Sequence, residues 1–438
     1  MSEKIYDALI VGSGPGGASV ALRLAKAGKK VAILERGARV KNPGTLLGML
    51  PAVDLKSMIP TFTSPAVVRG VGLGGSTILY CGTAAFPPKW LKEKYKLDLE
   101  GYADETIEEL ELKPLPDELL GQSAKRIMES ANEIGYHWEP FRKFIRPKYA
   151  KKGFCTGGDC MMGCACGAKW TSAEYVDQAV ELGASLFLNT RVQKVLIEDG
   201  EATGVWAKTK EGWKAFRGKV IILSAGGVGT PGILLRTGIT DAGKKFFTDP
   251  VVMVYGINKA GVKGTKYDPP MSVGTYEHYD ERIVLSNLTD PWALFPVMML
   301  AGRPTRFWQA LQLNRVMGIM VKVGDEMRGE IFKNERFHKP MVKTERDRLK
   351  KGSEIAKKIL IKAGANPNSI AITPIRLSHP GGTARVGEVV NDNLETGIKN
   401  LFCCDASVIP ETLDLPVVLT VISFGKRLGD YLLKNNRV

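Results

Sequence analysis

Asp7-Ala8-Leu9-Ile10-Val11-Gly12-Ser13-Gly14-Pro15-Gly16-Gly17, followed by the helix-periodic residues Ala18, Val20, Ala21, Leu22, Leu24 and Ala25, decides the fold. A short apolar strand runs into Gly-x-Gly-x-x-Gly, a helix follows to Gly28, and a second strand, Val31-Ala32-Ile33-Leu34, delivers Glu35. Each part has a physical role in holding a dinucleotide. Gly12 makes the tight turn, Gly14 lets a pyrophosphate approach the backbone, and Gly17 lets the helix pack on the strand. The helix N-terminus faces the diphosphate, and an acid at position 35 accepts ribose hydroxyls. A free 2′-hydroxyl suits FAD or NAD rather than NADP. The motif does not separate those two.

Outside this segment, 438 residues give a length prior of two domains, and 44% hydrophobic with 24% charged residues excludes disorder and collagen-like structure. Apolar runs such as Val220 to Leu223 and Val297 to Ala301 are far too short to span a membrane. No apolar signal core precedes the first strand, so the expected location is the cytoplasm. The balance of 61 Lys and Arg against 46 Asp and Glu, a net charge of +15, suits acidic partners or an anionic surface. No nucleic-acid motif accompanies it, and nucleic acid is not expected as a partner.

Four more glycine-bearing or acidic motifs follow in order: Arg69-Gly70-Val71-Gly72-Leu73-Gly74-Gly75-Ser76-Thr77, the strand-and-loop Lys219 to Pro231, His379-Pro380-Gly381-Gly382-Thr383, and Cys404-Asp405-Ala406-Ser407. Together with the opening they resemble the glucose-methanol-choline (GMC) family of FAD-dependent oxidoreductases, over roughly residues 5–85, 153–238 and 375–435. The resemblance implies an α/β chain: a Rossmann-like FAD-binding domain with a second, α+β substrate domain on an antiparallel sheet. The FAD domain would be discontinuous (1–85, 170–245 and 375–438), with a helical excursion at 86–169 and the substrate domain at 246–374. FAD would be held by Gly12, Gly14, Gly17, Glu35, Arg36, Gly74, Gly75, Ser76, Val192, Ala225, Gly226, Asp405 and Ala406.

In the same resemblance His379 is the catalytic base. Removing hydride from an alcohol carbon requires the hydroxyl proton to leave, and imidazole titrates near working pH. The family places a second His or Asn a few residues beyond Asp-x-Ser. Here that position is Pro416, flanked by Leu415 and Val417, and none can polarise a hydroxyl. His278 is a conceivable replacement, with a surface histidine the plainer reading. The expected activity is hydride transfer from a CH–OH substrate to flavin. A same-fold reductase or lyase and an electron-transfer subunit are the alternatives.

Cys155, Cys160, Cys164 and Cys166 crowd into one short segment. Their spacing fits neither common ferredoxins nor zinc ribbons. An iron–sulfur cluster, of the 4Fe-4S type, is the expectation, with structural zinc and unliganded thiols open. Before them Arg142, Lys143, Arg146, Lys148, Lys151 and Lys152 stand without an acid, an expected docking surface for an acidic electron carrier. Cys403 and Cys404 read as core thiols. The apolar, aromatic stretch Pro291 to Trp308 reads by default as core, with a lid over a hydrophobic substrate or a membrane-surface contact as other uses.

Overall fold

The computed structural model describes residues 4–61, 64–150, 159–259, 261–292, 294–302 and 304–438. Its first sheet is built outward from Ile5–Val11, which pairs in parallel with Val31–Leu34 on one side and with the end of Gly212–Leu223 on the other. Ser185–Phe187 and Leu401–Cys403 extend the parallel part. These strands are almost wholly apolar because helices cover them. Pro15–Lys26, which has Pro at its first turn, packs against Ala173–Glu181 and Val418–Lys434. The first half of Gly212–Leu223 leaves the parallel region and forms an antiparallel meander with Glu201–Thr209 and Arg191–Glu198.

The second sheet is mainly antiparallel. Its long central strand, Lys244–Ile257, lies between Val316–Val323 and Arg376–Gly381, with Ile283–Asn287 beyond Val316–Val323. Segments cross between the two halves: Ala66–Val67 and Arg376–Gly381 join this sheet, and Glu139–Pro140 closes one edge. Side-chain alternation splits the sheet into two faces. Val252, Val254, Ile319 and Val321 pack with Leu349, Ile355 and Ile359 of the helix Lys343–Lys362, while Val251, Met253, Tyr255 and Met320 belong to a different cluster on the opposite face. That opposite face looks toward the nucleotide domain.

The stretch Pro291 to Trp308 is core on one side only. Its helix, Phe295–Gly302, buries Phe295 and Met299, whereas Trp292, Val297 and Leu300 are about half exposed. A two-turn helix with no polar residue has apolar side chains left over once one stripe meets the sheet. No described helix is long and apolar enough to cross a membrane.

Candidate active site

A cavity of about 420 Å³ runs between the two sheets, from Glu35 and Arg36 at one end to His379 and the second sheet at the other. Gly12, Gly14, Gly75, Ser76, Val192, Ala225, Gly226, Asp405 and Ala406 line it. Gly12 has φ of +105°, and a Cβ there would sit 2.2 Å from the Ser224 carbonyl oxygen. Gly14 differs: a Cβ would meet nothing within 4 Å, so its backbone is bare to the cavity. That is the cradle a diphosphate requires. Gly17 and Gly74 stand behind the wall, Gly17 against the Gly12 carbonyl and Gly74 donating its N–H to Ser13 Oγ at 3.0 Å.

Glu35 is tied into the same loop. One oxygen accepts from Ser13 N and Oγ (3.1 and 2.6 Å), the other from Gly37 N at 2.8 Å. With about four lone-pair positions on a carboxylate, three donors leave room for one ribose hydroxyl rather than two. Ser13, a missed residue, thus links both glycine loops to the acid. Arg36 turns to Glu335 (3.1 Å), where Arg69, Arg191 and Arg236 also gather. Asp405 accepts from Gly226 N at 2.8 Å and Ser407 N at 2.7 Å, fixing two loops at the cavity wall.

At the other end the strand Arg376–Gly381 carries an irregularity. Phe247 faces Gly381 and Asp249 faces Ser378, so two residues oppose the single Thr248. His379 lies in this bulge with φ of +49°, a left-handed conformation uncommon for a non-glycine residue. Bulges re-aim side chains. Here His379 Nδ1 comes to 2.7 Å from Asp249 Oδ2, leaving Nε2 as the free ring nitrogen of a partly exposed imidazole in the cavity wall. Lys322 Nζ donates to the same Asp249 oxygen at 2.8 Å, and Lys322 and Asp249 are both about 2% exposed. Burial alone would raise the Asp249 carboxyl. The Lys322 ammonium and the His379 contact outweigh it and hold that carboxyl below the usual range.

Sheet geometry explains the convergence. Asp249, Val251 and Met253 alternate along one face of Lys244–Ile257, and Val251 and Met253 stand opposite Lys322 and Met320. These residues, with Met271, Leu288 and Leu294, make an apolar wall interrupted by few polar groups. One is Arg376, paired with Asp290, which also accepts from Tyr255 Oη at 2.6 Å. Pro416 lines the cavity with Val417 and Val418, so the position carries no hydroxyl ligand. His278 does not replace it. It packs on Tyr136 outside the cavity, with Glu281 at 3.4 Å.

The cysteine segment is only partly described, since Cys155 lies outside the described residues. Cys164 and Cys166 sulfurs are 3.6 Å apart, and Cys164 accepts from Lys169 N. Burial pushes the Cys160 thiol up to about 11. Among the described residues no three His, Cys, Asp or Glu side chains converge as a metal site, so Cys160, Cys164 and Cys166 do not assemble the expected centre by themselves. The basic run does not form one surface either. Lys143 is fully buried, its ammonium held by the Cys81 and Pro270 carbonyls (2.8 and 2.7 Å) and Thr83 Oγ1 (2.7 Å).

A family model described as GMC oxidoreductase matches residues 6–252, and one for the family's C-terminal part matches residues 336–425. The chain belongs to the GMC oxidoreductase family. It is an FAD-dependent oxidoreductase, and the bare Gly14 backbone, the Glu35 loop and Asp405 fit that cofactor. A Methanocaldococcus jannaschii protein described as uncharacterized is 28% identical over 425 residues, 97% of this chain and 98% of its own length. A long-chain-alcohol oxidase of Arabidopsis thaliana is 24% identical over 95% of this chain and 66% of its own. A 2-methyl-1,2-propanediol dehydrogenase of Mycolicibacterium austroafricanum is 28% identical over 53% of this chain and 50% of its own. Among solved structures, Aspergillus oryzae formate oxidase superposes with a TM-score of 0.73 at 17% identity, covering 99% of both chains. Pyridoxine 4-oxidase from Mesorbium loti superposes with a TM-score of 0.70 at 16% identity, over 98% of this chain and 99% of that one. Both share the GMC flavoenzyme fold.

Proposed function

We propose that this GMC member oxidises the hydroxyl-bearing carbon of an apolar alcohol, with His379 as the base. FAD, when bound along the cradle from Glu35 to Asp405, supplies the acceptor for the hydride of that carbon. The carrying observation is the line His379–Asp249–Lys322 set into an otherwise apolar wall. Asp249, ionised, holds the proton of His379 on Nδ1, so that Nε2 accepts the substrate's hydroxyl proton. Lys322 keeps Asp249 ionised and brings ammonium donors to the cavity wall, where the developing alkoxide needs stabilising. It therefore takes over what Pro416 cannot do. Met253, Met320, Leu288 and Leu294 favour an aliphatic chain over a sugar. The alcohol oxidase and diol dehydrogenase activities for which the Arabidopsis and Mycolicibacterium relatives are named support an alcohol as the substrate class.

An anaerobic series of primary alcohols tests this reading. Each alcohol should reduce the flavin and yield one carbonyl product per flavin. At about 0.8 kcal/mol per buried methylene, each added carbon should lower the half-saturating concentration about fourfold until the wall is full. Flavin that no alcohol bleaches, or a preference for polyhydroxy compounds, would reject it.

We also propose that electrons leave the flavin through the cysteine segment. Four thiols within Cys155–Cys166 support an iron–sulfur centre, and Arg142 and Lys148, both exposed, support an acidic carrier. Iron and acid-labile sulfide counted anaerobically test the first; a carrier's reduction rate against salt tests the second. Absence of iron, or indifference to salt, removes each.

A further inference from the structure

Two apolar surface segments border the cavity. The first contains the helix Leu46–Met49 and the residues after it, with Leu47, Leu55 and Ile59 at 84%, 52% and 68% exposed. The second contains Phe295–Gly302 and the 3-10 segment Pro304–Arg315, with Trp292, Leu300 and Leu311 at 53%, 54% and 89%. They lie far apart in sequence, and Met161-Met162 joins them. Met162 packs with the cluster under the first segment (Met49, Ala52), and Met161 packs with the cluster under the second (Phe295, Met299). Both methionines line the cavity, as do Met58 of the first segment and Pro291 and Leu294 of the second. The exposed apolar surface is thus continuous with the apolar end of the substrate cavity.

The charges on these segments select the occupant. Among the described side chains from Pro291 to Arg315, Arg315 is exposed, and the sequence there holds no acid. From Lys41 to Pro60 there are Lys41, Lys56 and one acid, Asp54, which is paired with Arg69. Large exposed side chains of this kind on a monomer mark an interaction surface. Exposed Leu and Trp on segments that also carry the exposed Lys41, Lys56 and Arg315 match the boundary of a bilayer bearing anionic lipid.

We propose that this face seats the protein on an anionic bilayer surface, with the cavity opening toward the lipid, from which an apolar alcohol enters without crossing water. The entry of the alcohol rests on the reaction proposed above, whereas the seat does not, because binding is read without turnover. Co-sedimentation of the FAD-loaded protein with phosphatidylcholine vesicles, with and without phosphatidylglycerol, tests it. The protein should pellet with the anionic vesicles and lose binding as salt rises. The double variant Leu47→Glu/Leu311→Glu should reduce the bound fraction about tenfold or more. Leu182→Glu, 52% exposed at the end of Ala173–Glu181, should change nothing. Both altered leucines are on the surface, so folding is preserved, as FAD content will verify. No pelleting of the unaltered protein, or equal pelleting of the double variant, overturns the proposal. So does a dimer that the double variant dissolves and that ignores vesicles, which would make this face an interface between two copies.

Discussion

Asp249→Asn separates the base from the group that orients it. The native carboxylate accepts from His379 Nδ1 at 2.7 Å and from Lys322 Nζ at 2.8 Å through one oxygen. An amide carries no charge, and its oxygen can accept from both only while its NH2 group stays turned away from His379. Two losses follow. Lys322, 2% exposed, becomes an unpaired buried cation, and removing one partner of such a pair costs about 3–5 kcal/mol. His379 also loses the acceptor-only anion that fixes its tautomer, and a positioned base is worth about 10²–10⁴ in rate. The assay is single-turnover flavin reduction by an alcohol, followed anaerobically in protein whose FAD content and melting have been measured. The double variant Asp249→Asn/Lys322→Met discriminates between the two losses. With both charges gone it should regain most of the stability, while flavin reduction stays slow. Reduction at the native rate in either variant would show that Asp249 does not orient the base.

Other outcomes follow from the same geometry. Lys322→Met should slow single-turnover flavin reduction about 10²–10³-fold, the usual worth of one donor to a developing oxyanion; a native rate would remove Lys322 from the chemistry. Gly14→Ala should leave the apoprotein folded and weaken FAD binding about tenfold or more, because its methyl group enters open cavity. Gly12→Ala should fail to fold, with Cβ 2.2 Å from the Ser224 oxygen at a positive φ; equal behaviour of the two in apoprotein melting would contradict the cradle. The depressed Asp249 carboxyl stabilises the fold above its unfolded value near ~3.9, and this contribution is lost as pH falls through the lower folded value. Denaturant titrations should therefore show a steeper loss of stability on acidification for native protein than for Asp249→Asn/Lys322→Met, and parallel curves would refute it.

The nucleotide half was legible because its signals are local. Gly12, Gly14 and Glu35 lie on consecutive elements, and apolar runs such as Val31–Leu34 have one use in a covered parallel sheet. The substrate half was less so. The apolar, β-branched runs Val251 to Tyr255 and Ile283 to Leu285 are strand signals, but the charged first turns of the helix Lys343–Lys362 conceal its start. Asp249 and Lys322 were missed because pairing across strands brings them together, not spacing. A trace existed: Lys322 interrupts the apolar run Ile319 to Val323, where a charge must face a partner or solvent. Lys143 was read with its basic neighbours as surface, although carbonyls beside Cys81 bury it. Pro416 brings no side-chain donor to the cavity, and Lys322, the replacement proposed for it, comes from the opposite sheet.

Single-turnover flavin reduction by a long-chain alcohol in native protein and in His379→Ala, compared at equal FAD content, tests the central claim most directly. The bulge that carries His379 predicts native protein that bleaches rapidly and a variant slower by about 10²–10⁴ that still holds FAD. A variant reducing its flavin at the native rate would place the base elsewhere and contradict the account.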